Sequence, residues 1–144
     1  MRTLLCAAGL VVLCACGDSE SDESFFLGGT QFHVDFDLNH CTADGTLQFS
    51  QAGNQVTGTL DATRRCAGVD TDLSGPISAG TLEGTQLSFT ADTEPAECTF
   101  TGEESRDGTN EELRGMVECG YADGPYTGIF VAFRTQELVQ SRGF

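Results

Sequence analysis

Apolar and polar residues alternate along one short segment after another of this chain, and glycine-rich turns separate the segments. In the first segment, Phe32, Val34, Phe36 and Leu38 alternate with polar residues. Such alternation puts the apolar side chains on one face of a strand, and no stretch keeps apolar residues at helical spacing over three turns. The pattern predicts an all-β fold with eight strands in simple succession. These strands are centred on residues 32–38, 47–49, 56–60, 73–82, 87–91, 98–102, 113–119 and 126–134.

The first predicted hairpin has a register that also closes a disulfide. Pairing Leu47 with Leu60 across the turn sets Cys41 opposite Cys66 at the open end. Directly opposed Cβ atoms lie about 4.5 to 5.5 Å apart, which is close to disulfide reach. Both cysteines fall beyond the regular strands of this prediction, so the chain has to bend to join them. We expect a disulfide between Cys41 and Cys66.

The third hairpin repeats this arrangement. Pairing Phe100 with Val117 sets Cys98 opposite Cys119, which predicts the second disulfide. The four cysteines that follow the first sixteen residues allow three connectivities as two disulfides, and the two hairpin registers select one of them. Each bridge should contribute about 3 kcal/mol or slightly more under the chain-entropy model.

Aromatic residues face glycines across the predicted hairpins. Phe49 faces Gly58 in the first hairpin, and Phe89 faces Gly80 in the second. A ring over a cross-strand glycine covers exposed backbone and suits strongly curved sheets. The segments LQFSQAGNQVTGTL, ISAGTLEGTQLSFT and TGIFVAFR resemble the hairpins of small exported bacterial β-barrels of the lipocalin-like and avidin-like kind. The resemblance implies an eight-stranded antiparallel up-and-down meander barrel, but not biotin binding, because the chain has no Trp.

The predicted barrel interior is aromatic. An eight-stranded barrel is either filled by its side chains or holds one small ligand, and many inward rings favour a packed interior over a ligand cavity. On the last strand, Ile129, Val131 and Phe133 are apolar on the opposite face, where the tail TQELVQSRGF would cover them or a partner would bind. The inward-pointing phenylalanines are Phe32, Phe36, Phe49, Phe89, Phe100 and Phe130.

The beginning of the sequence has the layout of an export signal. A short positive start precedes an apolar stretch, which ends in the letters LCAC with Cys16 last. These four residues resemble the lipobox of bacterial lipoproteins, in which the final cysteine is acylated and becomes the mature N-terminus. The resemblance implies a cleaved signal peptide over residues 1–15 and lipid attachment at Cys16. A metal or redox role is disfavoured, because two cysteines in an apolar run lack further ligands.

The lipobox resemblance also divides the chain and places it in the cell. Residues 16–24 would form the lipidated cysteine with an acidic tether, and residues 25–144 a single β-barrel domain. Acyl chains attach a protein to a bilayer stably when there is more than one of them. In lipoproteins of Gram-negative bacteria, Asp directly after the lipidated cysteine favours the inner membrane, whereas Gly17 stands here. The resemblance therefore implies the cell envelope, with the outer membrane favoured over the inner one.

The charge of the chain excludes some partners. There are 22 acidic residues against seven basic ones, all Arg, and the formal net charge is −15. Such a charge repels nucleic acids and anionic lipid surfaces, so neither is an expected partner of the soluble part.

The sequence contains no recognisable catalytic or metal-binding motif. His33 with Asp35, or His40 beside Cys41, would need a recognisable nucleophile or third group to form a catalytic site. Asp70 and Asp72, or Asp35 and Asp37, could contribute to a Ca²⁺ site, but such a site needs six to eight oxygens. A solvated polar surface explains these residues more simply, and we predict neither an enzyme nor a cofactor.

The predicted functional surface is the end of the barrel opposite the tether. Its connections, NHCTAD, TRRCAGVDT, DTEPAE and GYADGP, carry both disulfides, and loops on a rigid scaffold commonly bind partners. We expect this acidic rim to bind a protein or an envelope polymer, in a membrane-anchored, non-enzymatic lipoprotein. The alternative is a lipocalin-like carrier of a small apolar ligand. The acids of the rim are Asp44, Asp70, Asp92, Glu94, Glu97 and Asp123.

Overall fold

The computed structural model describes residues 27, 29–107 and 110–135. The predicted signal peptide, Cys16 and the tether lie outside the described residues. In the part of the chain that is described, no helix has the length and apolarity needed to cross a membrane. The strands are β1 (Gln31–Leu38), β2 (Cys41–Ala52), β3 (Gln55–Cys66), β4 (Val69–Asp72), β5 (Gly75–Glu83), β6 (Gln86–Ala91), β7 (Glu97–Asp107), β8 (Asn110–Tyr121) and β9 (Gly124–Arg134).

Eight of these strands close into an antiparallel barrel. Pairing proceeds from β1 to β2 and β3, then through β5, β6, β7 and β8 to β9, which pairs with β1. Apart from β4, each strand neighbours the next one along the chain, as an up-and-down barrel requires. The predicted all-β fold and the eight-stranded closed barrel are confirmed.

The short strand β4 is an addition to the predicted succession of eight strands. It pairs antiparallel with the end of β3 and lies outside the closed circle. Ala67 (φ 48°) and Gly68 (φ 80°) form the turn before it. Two successive positive φ values are typical of a tight hairpin turn. All four residues of β4 are exposed, so the strand lacks the alternation by which the others were predicted.

Both disulfide-bearing hairpins adopt the predicted registers. The disulfides Cys41–Cys66 and Cys98–Cys119 are formed, with Cα–Cα distances of 4.6 Å and 4.1 Å. Cys41 begins β2 and Cys66 ends β3. These two cysteines therefore belong to regular strands, and the expected bend of the chain beyond the strands was wrong.

The second hairpin keeps its predicted register from Thr81 to Glu83 and shifts by one residue beyond that point. A β-bulge lies between Ser78 and Thr81 on β5, so that Ala79 and Gly80 together oppose Phe89. Ala79 has a φ of 49°, and a Cβ added to Gly80 would lie 3.2 Å from the Cβ of Phe89. The ring therefore faces the glycine as part of a bulge and not as one member of a simple pair. Bulges bend a strand and increase its twist, as closure of a small barrel requires.

Six phenylalanine rings fill the middle of the barrel, as predicted. Each of Phe32, Phe36, Phe49, Phe89, Phe100 and Phe130 is at most 3% exposed. Phe100 stacks on Phe89 with ring centres 4.7 Å apart, and the edges of Phe36 and Phe130 approach it at 5.4 Å and 5.3 Å. The rings contact one another in series through the core, so they occupy space that an enclosed ligand would need.

The described chain enters and leaves the barrel at the same end, which we call the entry end. The N–H of Leu27 donates to the side-chain oxygen of Gln51 at 2.7 Å, and Leu27 is fully buried. The N–H of Thr135 donates to the carbonyl of Gln31 at 2.9 Å.

The barrel closes where β9 pairs with β1, and Gly128 of β9 lies close to the main chain of β1. A Cβ added to Gly128 would lie 1.5 Å from a main-chain oxygen of β1. Closure therefore depends on a glycine at the β9–β1 seam.

Candidate functional site

The end of the barrel opposite the entry end carries both disulfides, and we call it the braced end. Its connections are shorter than the sequence suggested. Asn39 and His40 alone join β1 to β2, and Ala122 and Asp123 alone join β8 to β9. The side-chain oxygen of Asn39 accepts a hydrogen bond from the N–H of Thr127 at 3.1 Å, which ties the first of these turns to β9. At these two turns the rim is a low edge built from strand ends, whereas residues 67–74, which include β4, and residues 92–96 form longer connections.

Arg64 covers the mouth of the barrel at the braced end. Its guanidinium carbon lies 4.3 Å from the ring centre of Tyr121 and 5.7 Å from that of Tyr126. Its Nε also donates to Sγ of Cys66 at 2.9 Å. Contacts between an Arg and aromatic rings typically contribute about 0.5 to 2 kcal/mol, and more when water is excluded. We call Arg64, Tyr121 and Tyr126 the mouth cluster, because all three are half-buried and the two tyrosines pack against the apolar core.

The two phenol groups of the mouth cluster have different surroundings. The hydroxyl of Tyr126 donates to Asp123 at 2.5 Å, and this hydrogen bond raises the pKa of Tyr126 above its ordinary value. The hydroxyl oxygen of Tyr121 is buried and has no hydrogen-bond partner within the described residues. A buried polar group without a partner costs about 1 to 3 kcal/mol. The mouth cluster therefore contains an unsatisfied donor and acceptor next to a cation.

Arg65 pairs with two of the predicted rim acids. Its guanidinium donates to the carboxylate of Asp44, and its Nε lies 3.6 Å from Oδ1 of Asp70. The hydrogen bond and the charge of Asp44 raise the pKa of Arg65 above its ordinary value. Because the partners are solvent-exposed, these pairs contribute little to stability. They do link β2, β3 and β4 on the outer wall, so Asp44 and Asp70 lie beside the rim.

The other rim acids differ in accessibility. Asp92 accepts a hydrogen bond from the hydroxyl of Ser78 at 2.8 Å, and Asp123 is engaged by the mouth cluster. Glu94 and Glu97 flank the connection between β6 and β7 and are exposed. The accessible carboxylates of the braced end therefore concentrate on this connection, and the rim is less uniformly acidic than the sequence suggested.

The structure does not join the candidate catalytic and metal-binding residues into a site. Nε2 of His33 lies 3.3 Å from Oδ1 of Asp35 on the outer wall, where both side chains are exposed. His40 lies in the turn at the opposite end of β1. Asp72 accepts a hydrogen bond from Ser74 at 2.6 Å. Among the described residues, no group of three or more His, Cys, Asp or Glu could hold a metal ion.

Sequence reasoning missed the charged residues that lie inside the entry end. Glu104 is 9% exposed. Nε of Arg134 lies 2.6 Å from Oε2 of Glu111, and both atoms are buried without the alignment of a hydrogen bond. The signal was present in the strand pattern, because Glu104 follows Phe100 at even spacing and Arg134 follows Phe130 in the same way. Alternation places all three charged groups on inward-facing positions.

A second surface lies on the outside of β8 and β9. Met116 is 66% exposed, Ile129 62% and Phe133 44%, and Val131 between them is half-buried. We call these four residues the apolar wall. The predicted apolar outer face of the last strand is therefore present. The tail that was expected to cover it falls, from residue 136 onward, outside the described residues.

Of three comparisons with known proteins, the one with solved structures found matches and the other two found none. No protein-family model matches the chain, and the search of curated proteins found no match. Among solved structures, the chain is similar to the one titled "Crystal structure of rhizavidin", with 14% sequence identity and a TM-score of 0.49. The similarity covers 82% of this chain and 92% of that chain.

Proposed function

We propose that this protein is a non-enzymatic lipoprotein of the bacterial cell envelope, which binds a protein or an envelope polymer at its braced end. The observation that carries the proposal is the filled barrel. Six contacting rings occupy the middle, and at the mouth the guanidinium of Arg64 lies over the ring of Tyr121, which contacts the ring of Tyr126. Such a barrel offers its outer surface for binding, and two disulfides hold the braced end in one conformation.

The direction of the chain supports the choice of the braced end. Both described chain ends lie at the entry end, where Thr135 bonds to Gln31 and Leu27 to Gln51. An anchor at Cys16 would then hold the entry end towards the lipid and leave the braced end facing away from it. Glu94 and Glu97 are exposed there, and their charge favours a partner that presents cationic groups.

Lipidation is tested by replacing single cysteines in the full chain. We expect Cys16→Ser to move the protein from the membrane fraction to the soluble fraction and to remove the acyl mass, because the thiol is the attachment atom. Cys14→Ser is the matched control and should leave both properties unchanged. Mass spectrometry of membrane-extracted protein measures the acyl mass and the disulfide pairs together. Membrane attachment that survives Cys16→Ser would contradict the proposed anchor.

The binding surface is tested with photo-crosslinking amino acids in intact cells. We expect a probe at Glu97 of the braced end to form a discrete covalent adduct. A probe at Glu83, which is also exposed but ends β5 beside the β5–β6 turn at the entry end, serves as the matched control and should form none. Adducts that form from the probe at Glu83 and not from the probe at Glu97 would contradict binding at the braced end, whatever the result for Cys16. The two experiments therefore fail independently.

One observation favours a second function, that of a carrier for a small ligand at the mouth of the barrel. The buried hydroxyl of Tyr121 has no hydrogen-bond partner in the described region, and the guanidinium of Arg64 lies over the ring of this tyrosine. A small ligand with a polar group could satisfy this hydroxyl. Native mass spectrometry of the same extract distinguishes the two functions. A carrier should retain a ligand of one discrete mass, and Tyr121→Phe should lower the fraction of protein that carries it.

A further inference from the structure

The two disulfides differ in how easily a reductant can reach them. Cys98 and Cys119 are both 0% exposed and belong to the apolar core. Cys41 and Cys66 are only half-buried. Thiol–disulfide exchange requires a thiolate to contact a sulfur atom of the disulfide, so its rate depends on access. Of the two bridges, the one between Cys41 and Cys66 is therefore the accessible one.

The positions of the two bridges in the sheet explain this difference. Cys98 of β7 pairs with Cys119 of β8 on one side and with Ala91 of β6 on the other. Cys66, by contrast, ends β3 at the turn into the exposed strand β4. Cys41 begins β2 directly after a two-residue turn. One bridge is thus covered by paired strands, whereas the other lies at the rim of the braced end.

Arg64 places a positive charge beside one sulfur of the accessible bridge. Its Nε donates to Sγ of Cys66 at 2.9 Å. None of the ion pairs among the described residues involves Arg64, whereas the neighbouring Arg65 pairs with Asp44 and Asp70. A neighbouring Arg stabilises a cysteine thiolate, and a more stable thiolate leaves faster in thiol–disulfide exchange. Cys66 is therefore the better leaving group of its disulfide.

We propose that the Cys41–Cys66 disulfide is a site of thiol–disulfide exchange, at which a dithiol attacks Cys41 and Cys66 leaves as a thiolate beside Arg64. One sulfur of the dithiol, in its thiolate form, bonds to Sγ of Cys41. The electron pair of the broken S–S bond stays on Sγ of Cys66. The second thiol of the dithiol loses its proton to water and then displaces Cys41. The protein disulfide is reduced by two electrons, and the dithiol is oxidised to a disulfide.

Opening this bridge leaves the barrel closed. The strands β2 and β3 remain paired along the rest of their length, from Thr42 opposite Arg65 onward. The buried Cys98–Cys119 bridge remains formed. Reduction therefore frees the first residue of β2 from the last residue of β3 and loosens the braced end locally. This reactivity does not depend on which partner the braced end binds.

Reduction of the native full chain by dithiothreitol tests the difference between the two bridges. Free thiols are alkylated with iodoacetamide at successive times and located by peptide mapping. We expect Cys41 and Cys66 to become alkylated roughly tenfold faster or more than Cys98 and Cys119, because a buried bridge is reached only when the sheet opens. Equal rates, or earlier alkylation of Cys98 and Cys119, would overturn the proposal.

The monothiol glutathione identifies which sulfur is attacked, and this experiment needs no variant. After a short exposure, the released thiol is alkylated and the mixed disulfide is located by mass spectrometry. In the wild type, we expect glutathione on Cys41 and the alkyl group on Cys66. Glutathione found mainly on Cys66, or equally on both cysteines, would overturn the assigned direction of attack.

The effect of the cation is tested with Arg64→Gln. We expect this substitution to slow the opening of the Cys41–Cys66 bridge by dithiothreitol roughly threefold or more, because the leaving thiolate loses its stabilising charge. Arg65→Gln is the matched control. It removes the same charge from the next residue and should leave the rate near that of the wild type. An unchanged or faster rate in Arg64→Gln, or equal slowing by both variants, would overturn the proposal. Circular dichroism checks that each variant keeps the barrel fold.

Discussion

Replacing Phe100 with alanine should lower the free energy of unfolding by about 4 kcal/mol, the largest effect that we expect from a single substitution in this protein. Phe100 is fully buried and contacts three other rings, at centre distances of 4.7 Å, 5.3 Å and 5.4 Å. Its removal leaves a cavity among rings held by eight strands, which cannot collapse into the space without breaking the barrel pairing. Urea unfolding followed by circular dichroism measures the loss.

Phe133→Ala is the matched control, because this ring belongs to the same residue type but is 44% exposed on the outer wall. We expect it to cost less than about 1 kcal/mol, since an exposed side chain has little burial to lose. Similar losses for the two variants would mean that the interior is not a packed aromatic core. A loss below about 2 kcal/mol for Phe100→Ala would lead to the same conclusion.

Removing the disulfide between Cys98 and Cys119 should have the second largest effect. The double variant Cys98→Ala with Cys119→Ala should lose about 3 kcal/mol from the released loop, which spans a sequence separation of 21. Both cysteines are fully buried in the core, so the lost sulfur contacts add to this cost. Equilibrium unfolding under oxidising conditions measures the difference from the wild type.

Removing the Cys41–Cys66 disulfide separates the chain-entropy contribution to stability from the packing contribution. Cys41→Ala with Cys66→Ala opens a loop of similar length, with a sequence separation of 25, but these cysteines are only partly buried. We expect its loss to be smaller than that of the Cys98–Cys119 pair, because the chain-entropy cost is nearly equal and less packing is lost. A larger loss for the Cys41–Cys66 pair would show that Arg64 and the mouth cluster depend on that bridge.

Much of the fold followed from local pattern. The alternation that begins with Phe32 predicted which side chains point inward, and the pairing of Phe100 with Val117 predicted the Cys98–Cys119 bridge. These predictions succeed because the two strands of a hairpin are joined by a short turn, so a one-residue slip would expose the buried face. The bulge at Ala79 was not predictable in this way, since it depends on curvature around the whole barrel.

Less of the candidate site followed from the sequence. The acids of the rim were identified by position, but their pairing with Arg65 and Ser78 was not predicted, although each pair lies within one hairpin of consecutive strands. The mouth cluster joins Arg64 of β3 with two tyrosines that precede and follow the β8–β9 turn. No spacing in the sequence connects them, because β3 and β9 meet only through the mouth of the closed barrel.

The sequence by itself determined the succession of the eight barrel strands, the two disulfide registers and the inward-facing apolar residues, because each is decided between neighbours along the chain. Only the tertiary structure decided where the barrel closes, at the seam where Gly128 of β9 approaches β1, and which polar side chains cover its two ends. Those features require the first strand to meet the last. The physical reason is curvature: bulges and glycines distributed over the whole sheet together bring its two edges into hydrogen-bonding distance.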